Sequence, residues 1–246
     1  YKSLDYYESD DRDIFYGRQI EAVRCFRLAL SHHLTVLFGA SGTGKTSLLK
    51  AGIMPRLWEE DYTTAYVRAL GDPLQAVRAE VLQVLRQQGR AVADPQANTL
   101  RGFFHAVLAA DDRLVIFLDQ FEEFFLRLGE PLRRRFWAEL AAFRDATVPD
   151  AGSPPESART EPEVRFVISL REDFLASLDE ARASIPELLG DSYRLTNLSD
   201  DKASTVITEP AARAGITLAP ELVTTLLDEL RDREAGTIAP PQLQIV

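Results

Sequence analysis

Three short, almost wholly apolar runs stand out along the chain: 34–38 (LTVLF), 114–118 (LVIFL) and 164–170 (VRFVISL). Runs of this length, closed by Gly39, Asp119 and Arg171, predict strands buried on both faces, as in a parallel sheet. TAYVR at 64–68 predicts a further strand, and 193–195 a short edge strand. Helical spacing governs the segments between. Ile20, Val23, Phe26, Leu30 and Leu34 recur at intervals of three and four, which predicts a helix over 18–33. A second helix runs from Lys45 to about Ile53, stopped by Pro55. Further helices are predicted over 74–88, opened by Asp72-Pro73, and over 99–109, 121–128 and 131–146. After Leu198-Ser199-Asp200 the pattern is helical only: 201–208, 210–214 and 220–231. Strands alternating with helices, then helices alone, predict an α/β fold. It is a three-layer domain on a mostly parallel sheet, followed by a small helical lid. The expected boundaries are 1–197 for the core with its N-terminal arm and 198–246 for the start of the lid. Between them, 149–163 holds four prolines and almost no large apolar residue, which predicts a mobile surface loop.

Composition narrows the partners. With 246 residues, 46% hydrophobic and 27% charged, the chain can bury a full core, and disorder over most of its length is excluded. The net charge of −10 repels phosphate backbones, so a nucleic-acid partner is not expected. The only basic run, Arg133-Arg134-Arg135, reads as a solvated helix face paired with Glu130 and Glu139. One cysteine, Cys25, rules out a disulfide framework and a Cys-rich zinc site, and Cys25 itself reads as a packing residue. The three histidines are too scattered for a His-based metal centre. No run of about 18 apolar residues exists to cross a bilayer. The chain begins at Tyr1 without an initiator methionine and reads as a piece of a longer protein. A reducing, cytoplasmic compartment is expected.

The chemistry concentrates after the first strand. Gly39-Ala40-Ser41-Gly42-Thr43-Gly44-Lys45-Thr46 matches G-x-x-x-x-G-K-[ST] in full. Glycines let the backbone wrap a polyphosphate with its N–H groups turned inward, and the helix opening at Lys45 adds the positive end of its dipole. Lys45 supplies charge for the β- and γ-phosphates, and Thr46 a hydroxyl ligand for Mg²⁺. The flanking strand and helix are the context that gives such a string its meaning.

Asp119 ends the second buried strand, as a magnesium-holding Walker B aspartate does. Glu122 and Glu123 follow. A hydrolytic NTPase needs a carboxylate to orient the attacking water, and the reading leans to Glu123 with the other glutamate structural. Arg171 ends the third buried strand, where a guanidinium can distinguish a triphosphate from a diphosphate. All these residues are expected at the carboxyl edge of one sheet, where ligands of open α/β sheets bind.

These residues resemble the STAND branch of P-loop NTPases, and within it the bacterial novel STAND NTPase 1 type. Phe15-Tyr16-Gly17-Arg18-Gln19-Ile20-Glu21 is similar to its hhGRExE box, with Gln19 where Glu is usual. GASGTGKTSLLKAGIMPRL resembles the family's extended phosphate loop, which adds Ser47 to the nucleotide-binding set. LDQFEEFF is similar to its DQFEE segment. SLREDFLASL and Ile207-Thr208-Glu209-Pro210-Ala211 resemble its LR-x-DF and I-x-x-PA segments. The resemblance implies a switch that binds ATP or ADP with Mg²⁺, opens and self-associates with ATP, and resets by slow hydrolysis. It also implies effector and sensor domains outside this segment, and roles in antiviral defence, regulated cell death or signalling. Carried over by position, Phe15, Tyr16, Gly17 and Arg18 lie near adenine and ribose. Pro241 is the lid proline, in APPQLQ where the family reads LPLLQ.

Two rival readings share the core. One is an AAA+-like ATPase that remodels nucleic acid, which the acidic balance opposes. The other is a non-hydrolysing scaffold with bound ADP, which intact Lys45, Thr46, Asp119 and Glu123 oppose.

Overall fold

The computed structural model describes residues 5–68, 70–147, 161–232 and 235–244. Most of the proline-rich 149–163 segment lies outside the described residues. The chain divides into two compact units: 1–27 with 38–56 and 194–246, and 28–37 with 57–193.

The unit built on 28–37 and 57–193 contains most of the sheet. Its strands are β1 (Leu34–Gly39), β2 (Thr63–Arg68), β3 (Arg113–Asp119), β4 (Glu163–Arg171) and β5 (Ser192–Arg194). They are all parallel, in the order β2-β3-β4-β1-β5, with the short β5 at the edge as expected. The apolar runs are buried for the reason that made them legible: Val115, Ile116, Phe117 and Leu118 have no exposed surface. Helices α4 (Pro73–Gln87), α5 (Leu100–Val107), α6 (Glu122–Arg127) and α7 (Glu130–Thr147) connect the strands. Asp72 caps α4 by accepting from the Leu74 N–H at 3.0 Å, and Thr99 caps α5 through the Gly102 N–H at 3.1 Å. Phe121, Phe124, Phe136 and Trp137 stack into one buried cluster that fixes α6, with the Phe121 and Phe124 centroids 4.5 Å apart. A 3-10 stretch, Glu172–Ala181, follows β4. Glu130 pairs with Arg134 as expected, whereas Glu139 accepts the Leu100 N–H at 2.9 Å and Arg133 pairs with Glu180. Glu139 is drawn off because the first turn of α5 has N–H groups to satisfy.

The other unit holds the phosphate loop, the N-terminal arm and the C-terminal helices. Helix α1 (Gln19–Ser31) begins in it. The helix after the loop does not stop at Pro55. It starts as α2 (Lys45–Ser47), widens to a π-helical stretch (Leu48–Ile53), and continues as α3 (Met54–Glu59). Proline is excluded from a regular helix because its ring meets the carbonyl four residues back. The helix widens to a π-turn just before Pro55, and the Gly52 carbonyl accepts from the Arg56 side chain at 2.5 Å. Likewise the two helices expected over 201–214 are one, α8 (Asp200–Arg213), with Pro210 inside it. The helix continues past the proline to its end, where the Ala214 N–H reaches the Pro210 carbonyl at 3.1 Å and the Ile216 N–H reaches the Ala211 carbonyl at 2.9 Å. Helices α9 (Pro220–Leu230) and α10 (Pro240–Leu243) complete the unit. Leu198, Ala203, Ile207, Val223, Ile238 and Leu243 form their common core. A two-way bridge between Leu198 and Ile238, with both bonds 2.9 Å, closes it.

Candidate functional site: a phosphate loop and an acidic strand end

The phosphate loop leaves β1 at Gly39, where a side chain is forbidden: a Cβ there would stand 2.2 Å from the Leu195 carbonyl oxygen. Gly42 and Gly44 have φ of +78° and +89°, the left-handed region that favours glycine. The Thr43 hydroxyl donates to the Ala40 carbonyl at 2.9 Å and tightens the turn. Lys45 opens α2 and folds its ammonium onto the Gly39 and Ala40 carbonyls, 2.9 Å from each. Ser41 and Gly42 are exposed, Ala40, Gly44, Lys45 and Thr46 are half-buried, and Ser47 is buried. The Ser47 hydroxyl accepts the Tyr7 N–H at 3.1 Å, which ties the arm to the loop helix. Pro241, on α10, lies over the loop, its Cγ 3.3 Å from where a Cβ on Gly42 would stand.

The GRQ box is built around Arg18. Its guanidinium is 4% exposed and donates to Glu21 Oε1 (2.9 Å), the Thr43 carbonyl (3.0 Å) and the Thr196 carbonyl (2.8 Å). One side chain thus holds the phosphate loop, α1 and the segment before α8 together. Lys202 of α8 also reaches Glu21 Oε1, at 2.5 Å. Burial alone would raise the Glu21 carboxyl pKa, but bonds from Lys202, its own backbone and Arg18 outweigh it and hold the group below its ordinary value. Gly17 (φ +77°) is packed so tightly that a Cβ would lie 2.9 Å from the Lys202 carbonyl. Phe15 packs on Gly52, and the half-buried Tyr16 bonds the Arg213 side chain. Gln19 is exposed.

In the other unit, Asp119 closes β3 and is 1% exposed. The Tyr66 hydroxyl donates to Asp119 Oδ2 at 2.6 Å. Burial, with the aspartate charge beside it, pushes the Tyr66 phenol pKa up, so it stays protonated as a donor. The next residue, Gln120, has φ +52°, a conformation costly for a non-glycine residue, and it turns the chain sharply into α6. The two glutamates part company there. Glu122 Oε2 accepts the Arg171 backbone N–H at 3.2 Å, whereas Glu123 pairs with Arg127 one turn on. The Arg171 guanidinium pairs with Asp173 through bonds of 3.0 and 2.7 Å.

A family model, that of the Novel STAND NTPase 1 group, matches residues 1–241. The chain belongs to this family. No curated protein sequence matches this STAND NTPase domain. Among solved structures it is similar to a Walker-type ATPase of Pyrococcus abyssi (14% identity, TM-score 0.64), covering 98% of this chain and 69% of that one. It is also similar to the Aeropyrum pernix ORC2 protein in its ADP form (18%, TM-score 0.64; 94% and 62% covered). A third is AMPPCP-bound DnaA from Aquifex aeolicus (16%, TM-score 0.51; 93% and 59% covered). At these identities the likeness is one of fold, and the domain spans under two thirds of the last two chains.

Thr46, in α2, and Asp119, at the end of β3, each carry an oxygen donor of the kind that hard divalent cations take. Among the described residues no group of three or more His, Cys, Asp or Glu side chains could hold a metal alone. A magnesium ion held largely by phosphates and water needs no such cage. The sequence reading missed Tyr66, Glu21 and Lys202. Glu21 could be found as part of the box, but Tyr66 lies 53 positions from Asp119 and carries no local signal.

Proposed function

We propose that this STAND NTPase domain is an ATP-binding switch that hydrolyses ATP slowly. The observation that carries the reading is the phosphate loop: two left-handed glycines, a helix opening at Lys45, and an ammonium resting on loop carbonyls. In this reading the loop N–H groups of 39–47 take the polyphosphate, and Lys45 exchanges its carbonyl partners for phosphate oxygens. Thr46 and Asp119 hold Mg²⁺, which neutralises phosphate charge when bound. Thr46 comes after β1 and Asp119 ends β3, and ligands of open α/β sheets bind at carboxyl ends of strands.

Glu122 is our candidate for the carboxylate that orients the attacking water, because its oxygen faces the end of β4 while Glu123 is engaged by Arg127. Arg171 would exchange Asp173 for a γ-phosphate and so report which nucleotide is bound. Tyr16 and Gly17 border the base and ribose. Arg18 supports the loop from behind, and Pro241 closes over it from α10. Nucleotide exchange would then govern self-association and effector output in the cytoplasm, in antiviral defence or regulated cell death, as the family resemblance implies.

The rival that remodels nucleic acid gains nothing from charge, since Arg133 and Arg134 of the only basic run are paired. Nucleotide titration followed by phosphate release tests the proposal. Mg²⁺-dependent ATP binding with turnover supports it. ATP binding without turnover in wild type returns the scaffold reading.

A further inference from the structure

The strand register places two hydroxyls around Asp119. β2 and β3 run parallel with Tyr66 opposite Phe117 and Arg68 opposite Asp119. β3 and β4 run parallel with Leu118 opposite Ile168, so the next pair sets Asp119 opposite Ser169. Partners in register and residues two apart share a face of a sheet, so Tyr66, Asp119 and Ser169 share one. Tyr66 already donates to Asp119 Oδ2 at 2.6 Å.

Ser169 is the unusual member. It has no exposed surface, and its Oγ has no hydrogen-bond partner. Its backbone is ordinary: the Ser169 carbonyl accepts the Phe121 N–H at 2.9 Å. A buried hydroxyl without a partner is destabilising, and an alanine there would fill nearly the same space without that cost. The orphaned group therefore stands beside the one buried carboxylate that closes β3, where it is of no use to the fold alone.

We propose that Tyr66 and Ser169 are positioning residues for Asp119, holding its carboxylate from the two neighbouring strands so that it presents a fixed oxygen to a divalent cation. This rests on the reading of Asp119 as a metal ligand. Tyr66 acts in the structure as it stands. The Ser169 hydroxyl, without a partner here, would serve as the second donor to the Asp119 carboxylate when that carboxylate holds a cation. Both act through Asp119 and neither touches nucleotide. Partners of this kind fix ligand orientation, and their loss typically costs about tenfold or more in metal affinity.

The test uses Mn²⁺ as a spectroscopic stand-in, titrated with ADP present and read by the paramagnetic resonance of the free ion. Wild type, Tyr66→Phe, Ser169→Ala and Asp119→Asn are compared, with metal-free ADP affinity and thermal unfolding measured in parallel. The proposal expects Mn²⁺ affinity to fall about tenfold in both Tyr66→Phe and Ser169→Ala. ADP affinity without metal stays unchanged. Ser169→Ala melts at or above the wild-type temperature, an outcome that a merely structural role does not give. Wild-type Mn²⁺ affinity in either folded variant overturns the assignment of that residue. Wild-type affinity in Asp119→Asn, or no ADP uptake by wild type, would instead overturn the underlying reading of the site.

Discussion

Glu122 Oε2 accepts the backbone N–H of Arg171 at 3.2 Å, so the first glutamate of the DQFEE segment is fixed to the end of β4. Glu123 is held by Arg127 on the side of α6. Only one of these adjacent carboxylates is therefore aimed at the strand end that carries the sensor candidate. Glu122→Gln is expected to lower the rate of phosphate release by about 100-fold or more, the usual cost of losing a general base. Glu123→Gln should stay within about threefold, since an exposed pair of this kind contributes little. The reverse order would restore Glu123, to which the sequence alone inclined.

The Arg171 guanidinium bonds Asp173 and lies 5.8 Å from the Phe174 ring centroid, and the ion pair is largely exposed. An exposed ion pair is weak enough to be exchanged for a phosphate. Arg171→Ala should keep ADP affinity and lower ATP affinity about tenfold, the value of one charge-assisted contact. Equal loss for both nucleotides in calorimetry would count against a sensor.

Arg18 is a buried bolt with three acceptors. Arg18→Ala removes one of the partners of Glu21 and takes the guanidinium from two backbone carbonyls, so unfolding in urea should show a loss of about 3–5 kcal/mol. The same group sets an acid limb. Because the folded Glu21 carboxyl lies below its ordinary value of 4.5, its contribution is complete above that pH and is lost as pH falls through the lowered value. Glu21→Gln should be less stable at neutral pH and should flatten that limb. An unchanged limb would place the acid sensitivity elsewhere.

Gly42 has φ +78° beneath Pro241. Gly42→Val puts a branched side chain on a left-handed backbone with its Cβ 3.3 Å from Pro241 Cγ, and a left-handed non-glycine residue costs about 1–2 kcal/mol. Nucleotide affinity should drop by about tenfold or more with most of the fold retained. Pro241→Ala beside it tests the lid contact: a loss of about threefold is expected, in line with about one buried methylene. Full affinity in Pro241→Ala would remove the proline from the site.

Much of this was legible locally. The strands 34–39, 113–119 and 163–171 are apolar because both faces are covered, and the phosphate loop is spelled by residues that its backbone requires. Proline misled twice, at Pro55 and Pro210, because a rule about regular helices does not foresee a π-turn or a helix that continues past its proline. What local pattern cannot show is register. Tyr66 meets Asp119, and Ser169 stands opposite it, only because three distant strands align in parallel. The same holds for Lys202, which reaches Glu21 across 181 positions. Nor does adjacency in sequence separate Glu122 from Glu123, since their directions are set by the turn at Gln120.

Calorimetric titration of the wild-type domain and Lys45→Ala with ATP and Mg²⁺ bears most directly on the central claim. The account predicts saturable binding at one site in wild type and a loss of about 10- to 100-fold in Lys45→Ala, the worth of a hydrogen bond to a charged group. Equal binding by the two proteins, or no heat of binding in a correctly folded wild type, would contradict it.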